Sequence, residues 1–179
     1  MIYKFRVILD AQEDVFRDIA ISEEDTLEDL HNAIVNAFGF DGAEIASFYR
    51  SDDQWGQGEE IPMFDSGEID GGQMTMADYR LVDVLDRENT KIIYVYDFMN
   101  MWTFFVELAA IEEAERGMNY PMVLFSHGNM PASAPEKDFA DADENEFDFD
   151  DDDYDDEDLD MFGGDGENFE DFGFEENWN

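Results

Sequence analysis

Acidic residues crowd the last quarter of the chain, and they limit how much of it can fold around a core. Residues 136–179 contain 22 acidic side chains and one basic side chain, a net charge of −21. Repulsion on this scale keeps a segment from burying its apolar groups, so disorder is predicted there. We therefore expect a globular domain over residues 1–135 and a disordered acidic, aromatic tail over residues 136–179.

The whole chain carries a net charge of −40, which constrains its partners. Nucleic-acid phosphates and anionic lipids repel such a chain, whereas basic proteins attract it. We therefore expect no direct nucleic-acid binding and no membrane association. The N-terminus does not resemble a signal peptide, and we expect a cytoplasmic protein. Cysteine is absent from the sequence, which excludes disulfides and thiolate metal sites.

Local patterns predict two strands and a helix near the N-terminus. Residues 2–9 alternate between apolar and polar side chains, and Val15 to Ile21 alternates again, so a hairpin is expected. Residues 26–38 repeat apolar side chains at helical spacing, with Asp25 or Thr26 as the N-cap. Gly39 is suited to end this helix in a left-handed conformation.

The most apolar stretch, residues 91–108, is predicted to form a central hairpin. A turn centred on residues 99–100 would place Ile93 and Val95 on one face with Phe104 and Val106, although a slip of one residue would exchange the faces. Flanking segments are predicted as follows: a strand at 45–50, a long loop at 51–75, a short helix at 79–86, a last apolar element at 120–124 and a linker at 128–135.

Several segments, read in order, resemble the plasmid pRiA4b ORF-3-like family. VFRDI at residues 15–19 is similar to its I-W-R-R-I strand, and TLEDLH at 26–31, continuing to AFGF at 37–40, is similar to its T-L-x-x-L-H and A-F-G-W helix. RLVDVL at 80–85 resembles the short helix before its hairpin, and YVYDF at 94–98 followed by Trp102 resembles its Y-x-Y-D-F-G-D-x-W signature. The similarity covers roughly residues 2–135.

The resemblance implies an α+β domain in which a mixed β-sheet packs on one main helix in a β-grasp-like arrangement. It implies no biochemical activity, because the family has no settled function. The chain also departs from the family pattern, since Met99 and Asn100 replace its G-D pair and Phe104 replaces a frequent histidine.

A candidate binding spot consists of Asp97, Trp102 and His31. A buried carboxylate beside a tryptophan and a histidine could hold a ligand or move a proton. The competing interpretation, which we favour, is structural: Asp97 bonds turn amides, Trp102 fills the core and His31 packs.

Other chemistry finds little support in the sequence. Two histidines about a hundred residues apart provide no metal-ligand spacing, and the acidic run at 148–160 does not match a calcium-binding loop. Ser126 next to His127 is sequence adjacency alone. We therefore expect no metal site, no cofactor and no catalytic residues, and favour a non-enzymatic role.

The tail combines its charge with nine aromatic residues, including Phe147, Phe149, Tyr154 and Trp178. Solubility alone does not require so many aromatics, and acidic–aromatic segments can fold onto basic grooved surfaces. The preferred hypothesis is a binding module whose arm engages a basic protein, which could be a nucleic-acid-binding protein, or its own domain in cis. The alternatives are a small-ligand binder or enzyme near Asp97 and Trp102, and a nucleic-acid mimic that competes for a DNA-binding protein.

Overall fold

A computed structural model of the chain describes residues 1–136, in which the strands form one antiparallel sheet. The strands are β1 (Ile2–Leu9), β2 (Phe16–Ser22), β3 (Ala46–Ser51), β4 (Gln57–Pro62), β5 (Lys91–Tyr96), β6 (Trp102–Glu112) and β7 (Met122–His127). The helices are α1 (Leu27–Phe38), a 3-10 turn (Met76–Asp78) and α2 (Leu81–Val84). Residues 137–179, which make up the predicted tail except for its first residue, lie outside the described residues.

The strand order is β4-β3-β5-β6-β1-β2-β7, and every pair is antiparallel. The expectation of a mixed sheet is therefore wrong. The hairpin connections β1–β2, β3–β4 and β5–β6 reverse the chain direction. Helix α1 instead links β2 to β3, which run in the same direction and are separated in the sheet by β1, β6 and β5. The α+β class itself agrees with the elements observed.

Helix α1 forms where the sequence analysis placed it, because its signals are local. The side chain of Thr26 accepts a hydrogen bond from the amide of Asp29 at 3.2 Å, and the Asp29 carboxylate accepts one from the Thr26 amide at 2.9 Å. This reciprocal pair satisfies two amides of the first turn. Gly39 ends the helix with φ 76°, a left-handed conformation that glycine adopts without a steric cost.

One face of the sheet, here called the inner face, shares a hydrophobic cluster with α1. The cluster joins Leu30, Ile34 and Phe38 of the helix to apolar residues of the central strands. Phe38 lies against Phe104 of β6, with ring centroids 4.6 Å apart. Burial of these aromatic and aliphatic side chains is the main stabilising contribution to such a layer, at about 25 cal/mol per Å² of apolar surface.

The central hairpin is shifted by one residue from the predicted register. Tyr94 pairs with Phe104, and a five-residue connection, 97–101, joins β5 to β6. Tyr94, Phe104 and Val106 therefore lie on the inner face, whereas Ile93 and Phe105 lie opposite, on the outer face. The side-chain period of two explains why this single shift reverses the predicted faces of one strand.

The long loop predicted at 51–75 contains a strand that sequence periodicity did not reveal. In β4 the first four residues are exposed and Ile61 is the buried one, so no apolar alternation marks the segment. Pairing of its backbone with β3 defines it. Trp55, just before β4, lies on the outer face 5.0 Å from the ring of Phe105, whereas Phe64 is exposed.

Candidate functional site

Asp97 organises the turn between β5 and β6. Its amide donates to the carbonyl of Ile45 at 2.9 Å, and its carboxylate accepts bonds from the Met99 amide at 3.1 Å and from the Asn100 side chain at 2.6 Å. The bond from Asn100 and those from the turn amides lower the pKa of Asp97. The carboxylate is therefore ionised at neutral pH and engaged by its own turn.

The backbone of this turn is unusual at two places. Asp97 has φ 61° and Met101 has φ 57°, both in the left-handed region that non-glycine residues seldom occupy. The amide of Met101 donates to the carbonyl of Asp97 at 2.6 Å and closes the turn. Aspartate tolerates this conformation better than most residues, because its side chain bonds the nearby backbone.

Trp102 packs in an aromatic cluster at the turn end of the inner face. It pairs with Tyr96 across the hairpin, and the ring of Phe40 lies 5.4 Å from Trp102 and 4.3 Å from Tyr96. The hydroxyl of Tyr96 donates to the carboxylate of Asp41 at 3.0 Å. These contacts close the core where α1 leads into β3, and they give Trp102 a packing role.

His31 is buried on α1, and its Nδ1 lies 2.7 Å from the hydroxyl of Tyr94. Burial lowers the pKa of His31 and raises the pKa of Tyr94. Both groups are therefore neutral at pH 7, and each is a hydrogen-bond partner of the other. A pair that resists charging is suited to a stable core contact.

The three predicted site residues thus have separate partners in residues 1–136, and no hydrogen bond in this range joins one of them to another. A binding role for the trio stays a prediction. The predicted tail residues Phe147, Phe149, Tyr154 and Trp178 lie outside the described residues.

Cavities of the domain lie away from these three residues. One of about 260 Å³ is lined by Arg87, Thr90 and residues 108–111, and another of about 150 Å³ lies near Asp52, Asp53 and Glu88. Neither contains the predicted site residues. In the part of the chain that the structure describes, no three His, Cys, Asp or Glu residues are placed to hold a metal ion.

Most basic side chains of the domain are already paired with carboxylates. The ion pairs are Lys4–Glu112, Arg6–Asp18, Arg50–Glu59, Arg80–Glu24 and Lys91–Glu107. Within residues 1–136, Arg87 and Arg116 are the basic residues outside ion pairs that also remain exposed. Because isolated cations cannot outweigh the surrounding carboxylates, no basic patch forms on the described surface.

Arg17 also lies outside ion pairs within residues 1–136, but it is buried on the inner face. Its guanidinium donates to the carbonyls of Phe16 and His127 at 2.8 Å and of Ala37 at 3.3 Å. It also lies over the ring of Phe38, 5.0 Å from its centroid. Arg17 therefore joins β2, β7 and the C-terminal turn of α1, where a cation is favoured by the helix dipole.

The most exposed apolar strand is β7, at one edge of the sheet. Val123, Leu124 and Phe125 are 44%, 42% and 53% exposed, respectively. Sequence reasoning found the apolar element but not its exposure. A signal was nevertheless present: residues 117–135 contain no charged side chain in a chain of which 32% is charged.

Comparisons with known proteins give a family and a fold. A family model described as plasmid pRiA4b ORF-3-like protein matches residues 1–138. A solved structure of a protein of unknown function, MM3350 from Methanosarcina mazei Go1, is similar with a TM-score of 0.60 and 24% identity. That match covers 70% of this chain and 68% of the other, and at this identity it shows the fold alone.

The comparison with curated proteins found no match. In residues 1–136, no helix is long and apolar enough to cross a membrane. The family match spans most of the chain and agrees with the motifs at 26–40 and 94–102, which form α1 and the central hairpin. The chain belongs to the plasmid pRiA4b ORF-3-like protein family.

Proposed function

We propose that this protein is a non-enzymatic binding module that engages a basic surface of a partner protein. The observation that carries the proposal is the pairing of its cations. Residues 1–135 contain eight basic and 27 acidic residues, and five of the eight basic residues are already in ion pairs. The carboxylates in excess leave an anionic surface that favours a cationic partner.

The tail strengthens this preference. It adds a net charge of −21 and nine aromatic residues directly after the domain. Aromatic rings supply apolar contact area at low conformational cost, while the carboxylates provide long-range attraction. We propose that the tail binds in trans, because within residues 1–136 the domain keeps only Arg87 and Arg116 as exposed basic residues outside ion pairs, too few to hold a segment of this charge.

An enzymatic role near Asp97 is less well supported. Its carboxylate is engaged by turn amides, and His31 bonds a neutral tyrosine. A general base must reach a substrate proton and have a pKa near the working pH, and neither group meets both requirements. Cytoplasmic location accords with the absence of cysteine and stays a proposal.

The test uses the full chain as bait for proteins of its own host, followed by affinity measurements on purified candidates. Two variants separate charge from recognition. One lacks residues 137–179, and the other replaces Phe147, Phe149, Tyr154 and Trp178 with serine at unchanged charge. We expect the deletion to weaken binding at least tenfold and the serine variant to weaken it severalfold.

The proposed contact also predicts a salt dependence. Raising the salt concentration from 0.05 M to 0.5 M should weaken binding steeply, because the screening length falls to about 4 Å at the higher concentration. A partner bound equally well by the full chain and by the deletion variant, or insensitive to salt, would contradict the proposal.

A further inference from the structure

We propose that the open edge of β7 pairs, by strand addition, with an extended segment of a partner protein that is apolar in its centre and basic at both ends. The inference rests on the proposed function and adds a location and a partner chemistry to it. The edge is open because β7 pairs with β2 on one side, and no strand of residues 1–136 pairs with its other side.

The two edges of the sheet differ in how well they are protected. Edge strand β4 carries Glu59 and Glu60 and ends at Pro62, and charges and proline discourage pairing with other chains. Edge strand β7 has neither feature: its sequence is MVLFSH, and five of its six residues are exposed. An uncharged, exposed edge presents unpaired backbone groups that an added strand can bond.

Side chains next to this edge would contact the added strand. On the outer face the rings of Phe125 and His127 lie 5.9 and 5.1 Å from Phe16, and Arg6 covers the same ring at 4.3 Å. The carboxylate of Asp18 opposite Phe125 is neutralised by Arg6. The middle of the edge is therefore apolar and locally neutral, which fits alternating apolar side chains.

Both ends of β7 are acidic. Glu13 and Asp14 lie at the His127 end, where Gly128 approaches the carbonyl of Asp14. Glu113 and Glu115 lie in the loop that leads into Met122. All four are exposed, and none forms an ion pair within residues 1–136. Lysine or arginine at both ends of an extended segment would complement these carboxylates over the length of β7, about 20 Å.

A second copy of the chain is a poorer occupant. An antiparallel pair of β7 strands would place the Asp14 end of one copy beside the Glu115 end of the other. Like charges at both ends of the contact would then add to the repulsion between two chains of charge −40. The same argument disfavours the acidic tail.

The experiment titrates the full-length protein with a synthetic peptide whose alternating valine and threonine residues are flanked at each end by a pair of lysines. Amide shifts are recorded by NMR. We expect the largest shifts at 122–127 and a salt-sensitive affinity. A peptide with glutamate flanks should bind at least tenfold more weakly, and one with a central proline should not bind.

Leu124→Lys tests whether the peptide binds at β7. Phe64→Lys is its matched control, because it adds the same charge at an exposed apolar residue in the loop after β4. We expect Leu124→Lys to weaken peptide binding at least tenfold and Phe64→Lys less than twofold. Thermal unfolding checks that both remain folded; Val123→Lys replaces Leu124→Lys if that variant unfolds.

The outcomes separate the two proposals. Equal effects of the Leu124 and Phe64 variants would overturn the edge assignment while leaving the basic-partner proposal standing. If the peptides with lysine flanks and with glutamate flanks bind the edge equally well, the proposed partner chemistry is overturned. Protection of the outward amides of β7 from hydrogen exchange in the free protein would show that the edge is already occupied, and this would also overturn the inference. Sedimentation then identifies the occupant: a dimer indicates a second copy, and a monomer indicates the tail.

Discussion

Polar residues in the interior of this domain serve internal contacts. Asp97 bonds its own turn, His31 bonds Tyr94 and Arg17 bonds three carbonyls. No buried side-chain nitrogen or oxygen of the described residues lacks a partner. Groups that are already satisfied have little capacity left for a substrate, which supports the proposal that the domain binds a partner through its surface.

The first prediction at this scale concerns Asp97. Asp97→Ala should lower stability through two losses, the bonds to the turn amides and the tolerance of a positive φ. Asp97→Gly should lower stability less, because glycine tolerates the positive φ. Asp97→Asn should lower stability least, because its side-chain oxygen can still accept the bonds from the turn amides. Urea unfolding measures the free energy of unfolding of each variant. Equal losses in Asp97→Ala and Asp97→Asn would contradict the role assigned to the Asp97 side chain.

The second prediction is a pH dependence from His31. Its pKa is lowered in the folded state, so the unfolded chain binds the proton more readily. Stability is therefore complete above the unfolded pKa of about 6.5 and is lost as pH falls towards the folded value.

Urea unfolding between pH 7.5 and 5 should show this decline for the native chain. His31→Phe should flatten the decline relative to the native chain. The control is His127→Gln at an exposed position, and this variant should keep the decline of stability at low pH. A decline of the same size in both variants would count against His31 as its source.

At the scale of elements, close backbone contacts hold β7 to the sheet at its C-terminal end. Gly128 follows β7 with φ 77°, and a Cβ placed on it would lie 2.3 Å from the carbonyl oxygen of Asp14. Arg17 bonds the carbonyl of His127 just before it. The edge strand is therefore tied to the β1–β2 turn region and to β2.

Two glycines of the same conformation give a matched comparison. Gly39 at the end of α1 has φ 76°, but a Cβ there would meet nothing within 4 Å. Gly39→Ala should cost about 1–2 kcal/mol for the left-handed conformation alone. Gly128→Ala should cost more, since it adds the clash with a backbone atom.

Hydrogen exchange locates the effect of each change. Gly128→Ala should raise exchange at the β7 amides while leaving α1 protected, and Gly39→Ala should act on the last turn of α1. Similar losses of stability in both variants would show that the close contact between Gly128 and the Asp14 carbonyl does not exclude a larger side chain.

For the whole molecule, net charge opposes compactness. The domain has an excess of 19 carboxylates before the tail adds its own. Repulsion between these charges is released on unfolding, and salt screens it, with a screening length of about 30 Å at 0.01 M and 10 Å at 0.1 M.

Thermal unfolding of the full chain should therefore shift upward by several degrees from 0.01 M to 0.2 M sodium chloride. The surface ion pairs work in the opposite direction, but exposed pairs contribute about 0–1 kcal/mol each. A midpoint that falls with salt would mean that these pairs outweigh the repulsion.

Local signals made part of this fold predictable. The bounds of α1, its Thr26 cap and its Gly39 end follow from interactions within a few residues, and β1 follows from alternation. The Asp97 turn was also anticipated in its structural role, because aspartate bonds adjacent amides in tight turns. Asp97, Trp102 and His31 have separate partners within residues 1–136, and their binding role stays a prediction.

The sequence by itself determined where α1 begins and ends and to which family the chain belongs. Tertiary structure alone decided the hairpin register, the strand at 57–62, the antiparallel order of the sheet and the position of β7 at its edge. The physical reason is the range of the interactions involved. A cap or a periodic face is formed by neighbours in the chain, whereas pairing and exposure depend on backbone groups that are distant in sequence and compete for the same partners.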